Sequence, residues 1–138
     1  MIGLDTSVLA RYYIQDAGDA ESVKQRDAAR RLIESGKPLM VCKTVLLELE
    51  WVMRGYYGLS AGEVATVMRH VLAMPHVNVE DRESVEQALS HCTMGLDFAD
   101  ALHHCSYRAC ESMASFDRKK FASRVKRMGL APGVTVPA

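Results

Sequence analysis

The chain alternates very short apolar runs with longer segments of helical periodicity, and this alternation limits the folds open to it more than any other feature. The runs MIGLD, LMVC, HVNVE and SMASF read as strands, and the closing LAPGVTVPA has room for at most one more. Between them apolar residues recur at helical spacing: Val8, Leu9, Tyr12 and Tyr13, then Val23, Ala28, Leu32 and Ile33. The segments VLLELEWVMRGYYG, AGEVATVMRHVLAM, DRESVEQALSHC, LDFADALHHCSYRACE and DRKKFASRVKRMG read as further helices. Asp19, Thr44, Ser60 and Asp97 stand where N-caps are expected, and Gly36, Pro38, Gly55, Gly58 and Pro75 where helices stop. LMVC, apolar throughout, reads as a strand buried on both faces. Short apolar strands alternating with helices imply a parallel sheet covered on both sides. The expected class is α/β: a three-layer α/β/α sandwich on a short central parallel sheet of four to five strands.

A length of 138 residues suits one core, and one domain is expected to span 1–138. With 49% apolar and 25% charged residues the composition excludes a disordered or fibrous chain. No stretch approaches the ~18 uninterrupted apolar residues of a membrane span. The opening MIGLDTSVLARYYI lacks the basic start, apolar middle and small-residue cleavage site of a secretory signal, which points to a cytoplasmic protein. In a reducing compartment Cys42, Cys92, Cys105 and Cys110, which form no C-x-x-C pair, are expected to be thiols in the core. The charge balance is even overall but local in detail. After Asp117 come Arg118, Lys119, Lys120, Arg124, Lys126 and Arg127 with no intervening acid.

In open parallel sheets ligands bind beyond the C-terminal strand ends, so acids at those positions carry the functional interest. Asp5 and Asp117 each follow a strand, and each could simply cap the next helix. Glu48 lies beside Val45, Trp51 and Val52 at the edge of an apolar stripe, with Trp51 expected in the core, whereas Glu50 points away from that stripe. A carboxylate at such an edge needs a partner, because uncompensated burial costs several kcal/mol, and an arginine would be the structural choice. Asp97 is placed to cap its helix, and Asp100 one turn later shares a face with His104 and Tyr107. Singly, each acid has an ordinary structural role. A parallel sheet, however, gathers its C-terminal strand ends, so Asp5, Glu48, Asp100 and Asp117 are expected to converge. Packed carboxylates raise one another's pKa unless a cation neutralises them. An all-oxygen donor set suits Mg²⁺ or Mn²⁺, and the chemistry implied is metal-assisted phosphodiester hydrolysis.

The stretches I-G-L-D-T-S-V-L, T-V-L-L-E-L-E-W-V, L-D-F-A-D-A-L-H and S-F-D-R-K-K-F, in that order, resemble the motifs of PIN domains. More closely they resemble VapC-type toxins, the ribonucleases of bacterial type II toxin–antitoxin systems, and the likeness covers essentially the whole chain. It implies a Mg²⁺-dependent endoribonuclease on a PIN-like fold, with Asp5, Glu48, Asp100 and Asp117 as its catalytic acids. By the same match Asp5 and Asp100 are direct metal ligands, while Glu48 and Asp117 complete the pocket directly or through water. Thr6 would orient Asp5 or a water on the metal, Ser115 keeps a hydroxyl where threonine is common, and Asp97 stands close enough to exchange roles with Asp100. The resemblance further implies a homodimer, a cognate antitoxin, and RNA as substrate, with Arg118 and Lys119 among the RNA contacts. One departure bears on those contacts: Phe121 comes about one position later than the family pattern, which shifts the phase of Arg118 and Lys119.

Other readings fit less well. His91, Cys92, His103, His104 and Cys105 offer zinc-type donors, but without C-x-x-C or H-x-x-x-H spacing, and adjacent His103 and His104 point ~100° apart. The expectation is that His104 edges the acidic pocket and His103 is solvated. A receiver domain would need an acidic pair after the first strand, where Asp5 is followed by Thr6, and a dehalogenase-like phosphatase would need an Asp at the position of Ser7. A stand-alone PIN ribonuclease of RNA processing and a non-catalytic PIN binding module are the remaining alternatives. The basic helix would give RNA affinity without sequence choice. Trp51, Tyr56 and Tyr57 could stack on bases only where exposed.

Overall fold

The computed structural model describes residues 1–15 and 18–138, and the chain forms two compact units, Met1–Arg82 and Glu83–Ala138. The first unit runs β1 (Ile2–Gly3), α1 (Thr6–Tyr13), α2 (Ala20–Ile33), β2 (Leu39–Val41), α3 (Lys43–Trp51), a π-helical turn over Val52–Tyr56, α4 (Ala61–Ala73) and β3 (Val77–Val79). Its strands form a parallel sheet in the order β1-β2-β3, with Leu39 opposite both Ile2 and Val77. Successive side chains on a strand point to opposite faces. Leu39, Val41, Val77 and Val79 are accordingly buried while Met40 and Asn78 face the other way. β2 is therefore buried on one face and not on both, which a run of apolar letters cannot distinguish; Met40 is 38% exposed.

α1 packs against α2 and α3, and Leu9, Ile33, Leu46, Leu49, Met53 and Val71 are buried in the core of this unit. The caps explain where the helices begin. Asp19 accepts from the Ser22 amide at 2.9 Å. Ser60 and Glu63 form a reciprocal capping box at the start of α4, which ends just before Pro75. The expected Thr44 cap is not formed. Cys42 occupies the N-cap of α3 without a side-chain bond, and Glu80, just past β3, accepts from the Lys43 amide at 2.8 Å. A carboxylate brought from across the sheet thus satisfies the positive end of α3, a tertiary solution that local spacing does not encode.

The second unit takes up α5 (Arg82–Thr93) after its first residue and continues with α6 (Phe98–Ser106), β4 (Ser112–Ala114), a second π-helical turn over Arg118–Ala122, α7 (Ser123–Met128) and β5 (Gly133–Thr135). β4 and β5 pair in parallel, Ser112 opposite Gly133. Val85, Ala88, Leu96, Phe98, Ala101, Phe121 and Val125 fill the core of this unit. α7 stops at Gly129, whose φ of 66° is the left-handed conformation that a residue without Cβ adopts at little cost. α6 ends at Ser106, so Tyr107 and Ala109 lie beyond the helix that the sequence pattern extended through them.

Five strands are present among the described residues, all in parallel pairs, but they divide into sheets of three and two instead of one sheet of four to five. The sequence pattern counts strands without saying which ones pair. Of the cysteines only Cys105 is buried; Cys42 and Cys92 are half-buried and Cys110 is exposed. Trp51, expected in the core, is 63% exposed. Among the described residues no helix is long and apolar enough to cross a membrane.

Candidate active site

Asp5 stands at the exit of β1 as the N-cap residue of α1. Its backbone carbonyl accepts from the Val8 amide at 3.1 Å, but its side chain makes no capping bond and accepts instead from Ser7 Oγ at 3.1 Å. The carboxylate is exposed, and capping does not consume it. Beside it Thr6 is buried, and its Oγ1 has no hydrogen-bond partner. Buried hydroxyls normally find one, so this oxygen is a donor or acceptor in want of a ligand.

On α3 the two glutamates exchange the places expected for them. Glu48 is exposed, whereas Glu50 is 6% exposed and accepts from Arg54 Nε at 2.7 Å. Buried Leu46, Leu49, Glu50 and Met53 follow the i, i+3, i+4, i+7 spacing of one helix face. The apolar stripe is therefore centred about a residue away from Val45 and Trp51, and the arginine-paired structural acid is Glu50. Glu48 keeps its carboxylate in solvent.

In the second unit three carboxylates share one electrostatic neighbourhood. Asp97 is the N-cap of α6 and accepts from the Asp100 amide at 3.3 Å. Asp117 opens the π-helical turn, where it accepts from the Lys120 amide at 3.0 Å while its own amide donates to Ser115 Oγ at 3.1 Å. The Asp100 carboxyl is held above its ordinary value, first by partial burial and then by the negative charges of Asp97 and Asp117. His103 and Arg124 oppose that shift. Arg124 also donates to the Gly95 carbonyl at 3.0 Å. Its place near Asp100 was missed in the sequence, where it reads as one more member of a basic run.

Among the described residues no group of three acids lies close enough to share a metal ion. Asp97, Asp100 and Asp117 do offer carboxylate oxygens, the donors a hard divalent cation takes, and such a cation would relieve the repulsion that adds to partial burial in raising the Asp100 pKa. Asp5 and the unpartnered Thr6 hydroxyl offer oxygen donors of the same kind. Arg118 and Lys119 are exposed on the turn that follows Asp117. There the Ala122 amide donates to the Asp117 carbonyl at 3.0 Å, five residues back, and Phe121 is buried. The residue by which Phe121 departs from the family pattern is thus accommodated as a π turn.

His103 is exposed as expected, but His104 does not edge a pocket. It is 1% exposed, its Nε2 meets the Pro132 carbonyl at 2.7 Å, and its ring stands edge-on to Phe121. Burial and the His104 ring hold the neighbouring His91 imidazole below its usual pKa. His91, His104 and Cys105 bring ligand-capable atoms within 4.8 Å of one another, which neither the spacing nor the divergence of His103 and His104 suggested. The third donor comes from another helix.

No curated protein matches the chain by sequence. The PIN domain family model matches residues 2–127, a span that takes in every one of the acids described above. PIN domains are generally nucleases that act on RNA, and they usually bind divalent metals. The parallel strands and intervening helices agree with the α/β architecture of that family. On a match that runs nearly from end to end, the chain belongs to the PIN domain family.

Proposed function

We propose that the protein is a Mg²⁺-dependent endoribonuclease and the toxin of a type II toxin–antitoxin pair, working in the cytoplasm as a homodimer restrained by a cognate antitoxin. The observation that carries the catalytic part is the PIN family match over residues 2–127, which takes in Asp5, Glu48, Asp100 and Asp117; beside it, partial burial and then the charges of Asp97 and Asp117 hold the Asp100 carboxyl above its ordinary value. Asp5 and Asp100 would hold the cation, and Glu48 and Asp117 would complete the site directly or through water. Bound there, Mg²⁺ would supply a lowered pKa for the attacking water and charge neutralisation at the phosphate.

The chain's own residues do the rest. Asp97 fixes the first turn of α6 and with it the position of Asp100. Ser115 holds the Asp117 amide, and Lys120 occupies one Asp117 oxygen, which leaves the other oxygen for the site. Thr6 places a buried hydroxyl beside Asp5, and exposed Arg118 and Lys119 would meet phosphates of the RNA strand. The toxin role rests on the order and spacing of the four acidic motifs, which resemble VapC-type toxins more closely than other PIN domains.

The test is cleavage of total cellular RNA by the purified protein with Mg²⁺, with EDTA, and with Asp5→Asn and Asp100→Asn. Discrete fragments that need Mg²⁺ and vanish in both variants are expected, and co-expression with the product of an adjacent antitoxin-sized gene should abolish them. Absence of cleavage by a folded protein that also fails to bind Mg²⁺ would overturn the nuclease. Cleavage that no neighbouring protein suppresses would overturn the toxin role alone.

A further inference from the structure

We propose that His91, His104 and Cys105 form a second, chemically distinct cation site that takes Zn²⁺ and ties α5 to α6 within the second unit. The proposal is independent of the nuclease reading, since none of these residues belongs to the acidic set. Two imidazoles and a thiol are borderline-to-soft donors that suit Zn²⁺ and Co²⁺ and do not suit Mg²⁺.

His104 carries the argument. Its Nε2 lies 2.7 Å from the Pro132 carbonyl oxygen, which can only accept, so Nε2 bears the ring proton. The neutral ring then has its bare lone pair on Nδ1, and that atom is buried with no hydrogen-bond partner. A histidine whose outer N–H is fixed by a backbone carbonyl while its inner nitrogen lacks a donor is arranged as metal ligands are. His91 Nδ1 lies 3.6 Å from Cys105 Sγ. Tetrahedral Zn²⁺ with bonds of about 2.05 Å to nitrogen and 2.3 Å to sulfur separates those ligand atoms by about 3.6 Å. One ligand-capable atom from each of the three residues lies within 4.8 Å of the other two, so closure around an ion needs roughly an ångström of movement at the widest pair. His91 is half-buried, which leaves the fourth position open to a water on its side. On binding, the Cys105 thiol loses its proton to solvent, the resulting thiolate bonds the ion, and the contact between His91 and the thiol is exchanged for two bonds to the metal.

Co²⁺ titration of the full-length protein tests this, because a thiolate–Co²⁺ bond gives a ligand-to-metal charge-transfer absorption that carboxylates do not. Wild type is expected to develop that band to one equivalent and to lose it when Zn²⁺ is added. Cys105→Ala should abolish the band. His91→Gln, a change at a half-buried position, should weaken Zn²⁺ binding by more than the 10–100-fold of a lost outer-shell contact. Asp100→Asn should keep the band. No band in wild type, a band that survives in Cys105→Ala, or Co²⁺ bound without a thiolate signature would each overturn the proposal. Should Cys105→Ala fail to fold by circular dichroism, the His91→Gln titration decides.

Discussion

Glu50 and Arg54 allow what holds α3 in place to be separated from what acts on a substrate. The Glu50 side chain is 8% exposed and meets Arg54 Nε at 2.7 Å, while Arg54 is half exposed. At that distance and an effective dielectric of about 20 the attraction is about 6 kcal/mol before desolvation. Most of it offsets the cost of drawing Glu50 out of water, so the intact pair contributes little net. Removing the cation leaves the carboxylate's cost exposed. Arg54→Met is expected to destabilise the protein by about 2–3 kcal/mol, less than the 3–5 of a fully buried pair because water can enter where Arg54 stood. Replacing both residues, Glu50→Leu with Arg54→Met, should recover most of the loss and come within about 1 kcal/mol of wild type. Urea denaturation measures all three. RNA cleavage should follow the other glutamate: Glu48→Gln, at an exposed position, should leave the urea midpoint nearly unchanged and lower cleavage, whereas the double variant should keep it. A neutral Arg54→Met, or a double variant no more stable than the single one, would refute this account of Glu50.

Three further outcomes follow from the site. Ionised Asp100 opposes folding because its carboxyl is held above the unfolded value by burial and by Asp97 and Asp117. In EDTA at about pH 7, Asp100→Asn should therefore melt slightly higher than wild type, by about 1 kcal/mol or less after solvent screening. The advantage should shrink as pH falls through the raised pKa and vanish below about pH 3, where folded and unfolded wild type are both protonated; a lower melting temperature at neutral pH would make Asp100 a stabilising residue. Thr6→Val removes the unpartnered buried hydroxyl and should stabilise by about 1 kcal/mol in thermal melts while reducing cleavage, and destabilisation would mean that the hydroxyl is bonded. Arg118→Ala with Lys119→Ala, measured by filter binding in the Asp100→Asn background, should lower the slope of log affinity for single-stranded RNA against log salt by about 1.4, and an unchanged slope would remove both from the RNA surface.

What could be read from the sequence was local. Asp19, Ser60 and Asp97 cap the helices they precede because a side-chain oxygen three residues from an unpaired amide needs no tertiary help. The strands fall where the apolar runs are, and Asp97 and Asp117 lie near enough to Asp100 to act on its charge. What escaped depends on partners distant in sequence or on helix phase. Glu80 reaches the Lys43 amide from 37 residues away, and His91 meets Cys105 from 14. Glu50 lies on the buried face because Leu46, Leu49 and Met53 define it, and not Val45, Trp51 and Val52; in a helix with apolar letters on most sides the sequence does not say which stripe faces the core.

The second π turn has a consequence for the core next to Asp117. A residue inserted into an α-helix rotates everything beyond it by about 100°, enough to swing Phe121 out of the core. Here the bond from the Ala122 amide to the Asp117 carbonyl spans five residues, so the extra residue is taken up within Arg118–Ala122. Phe121 and Val125, four apart, both remain buried, and Asp117 keeps its bond to the Lys120 amide and its charge near Asp100. Asp117 stands immediately before that turn and the exposed bases Arg118 and Lys119 lie in its first two positions, so the acid that would help hold a cation and the bases that would meet the strand are set by one local backbone geometry.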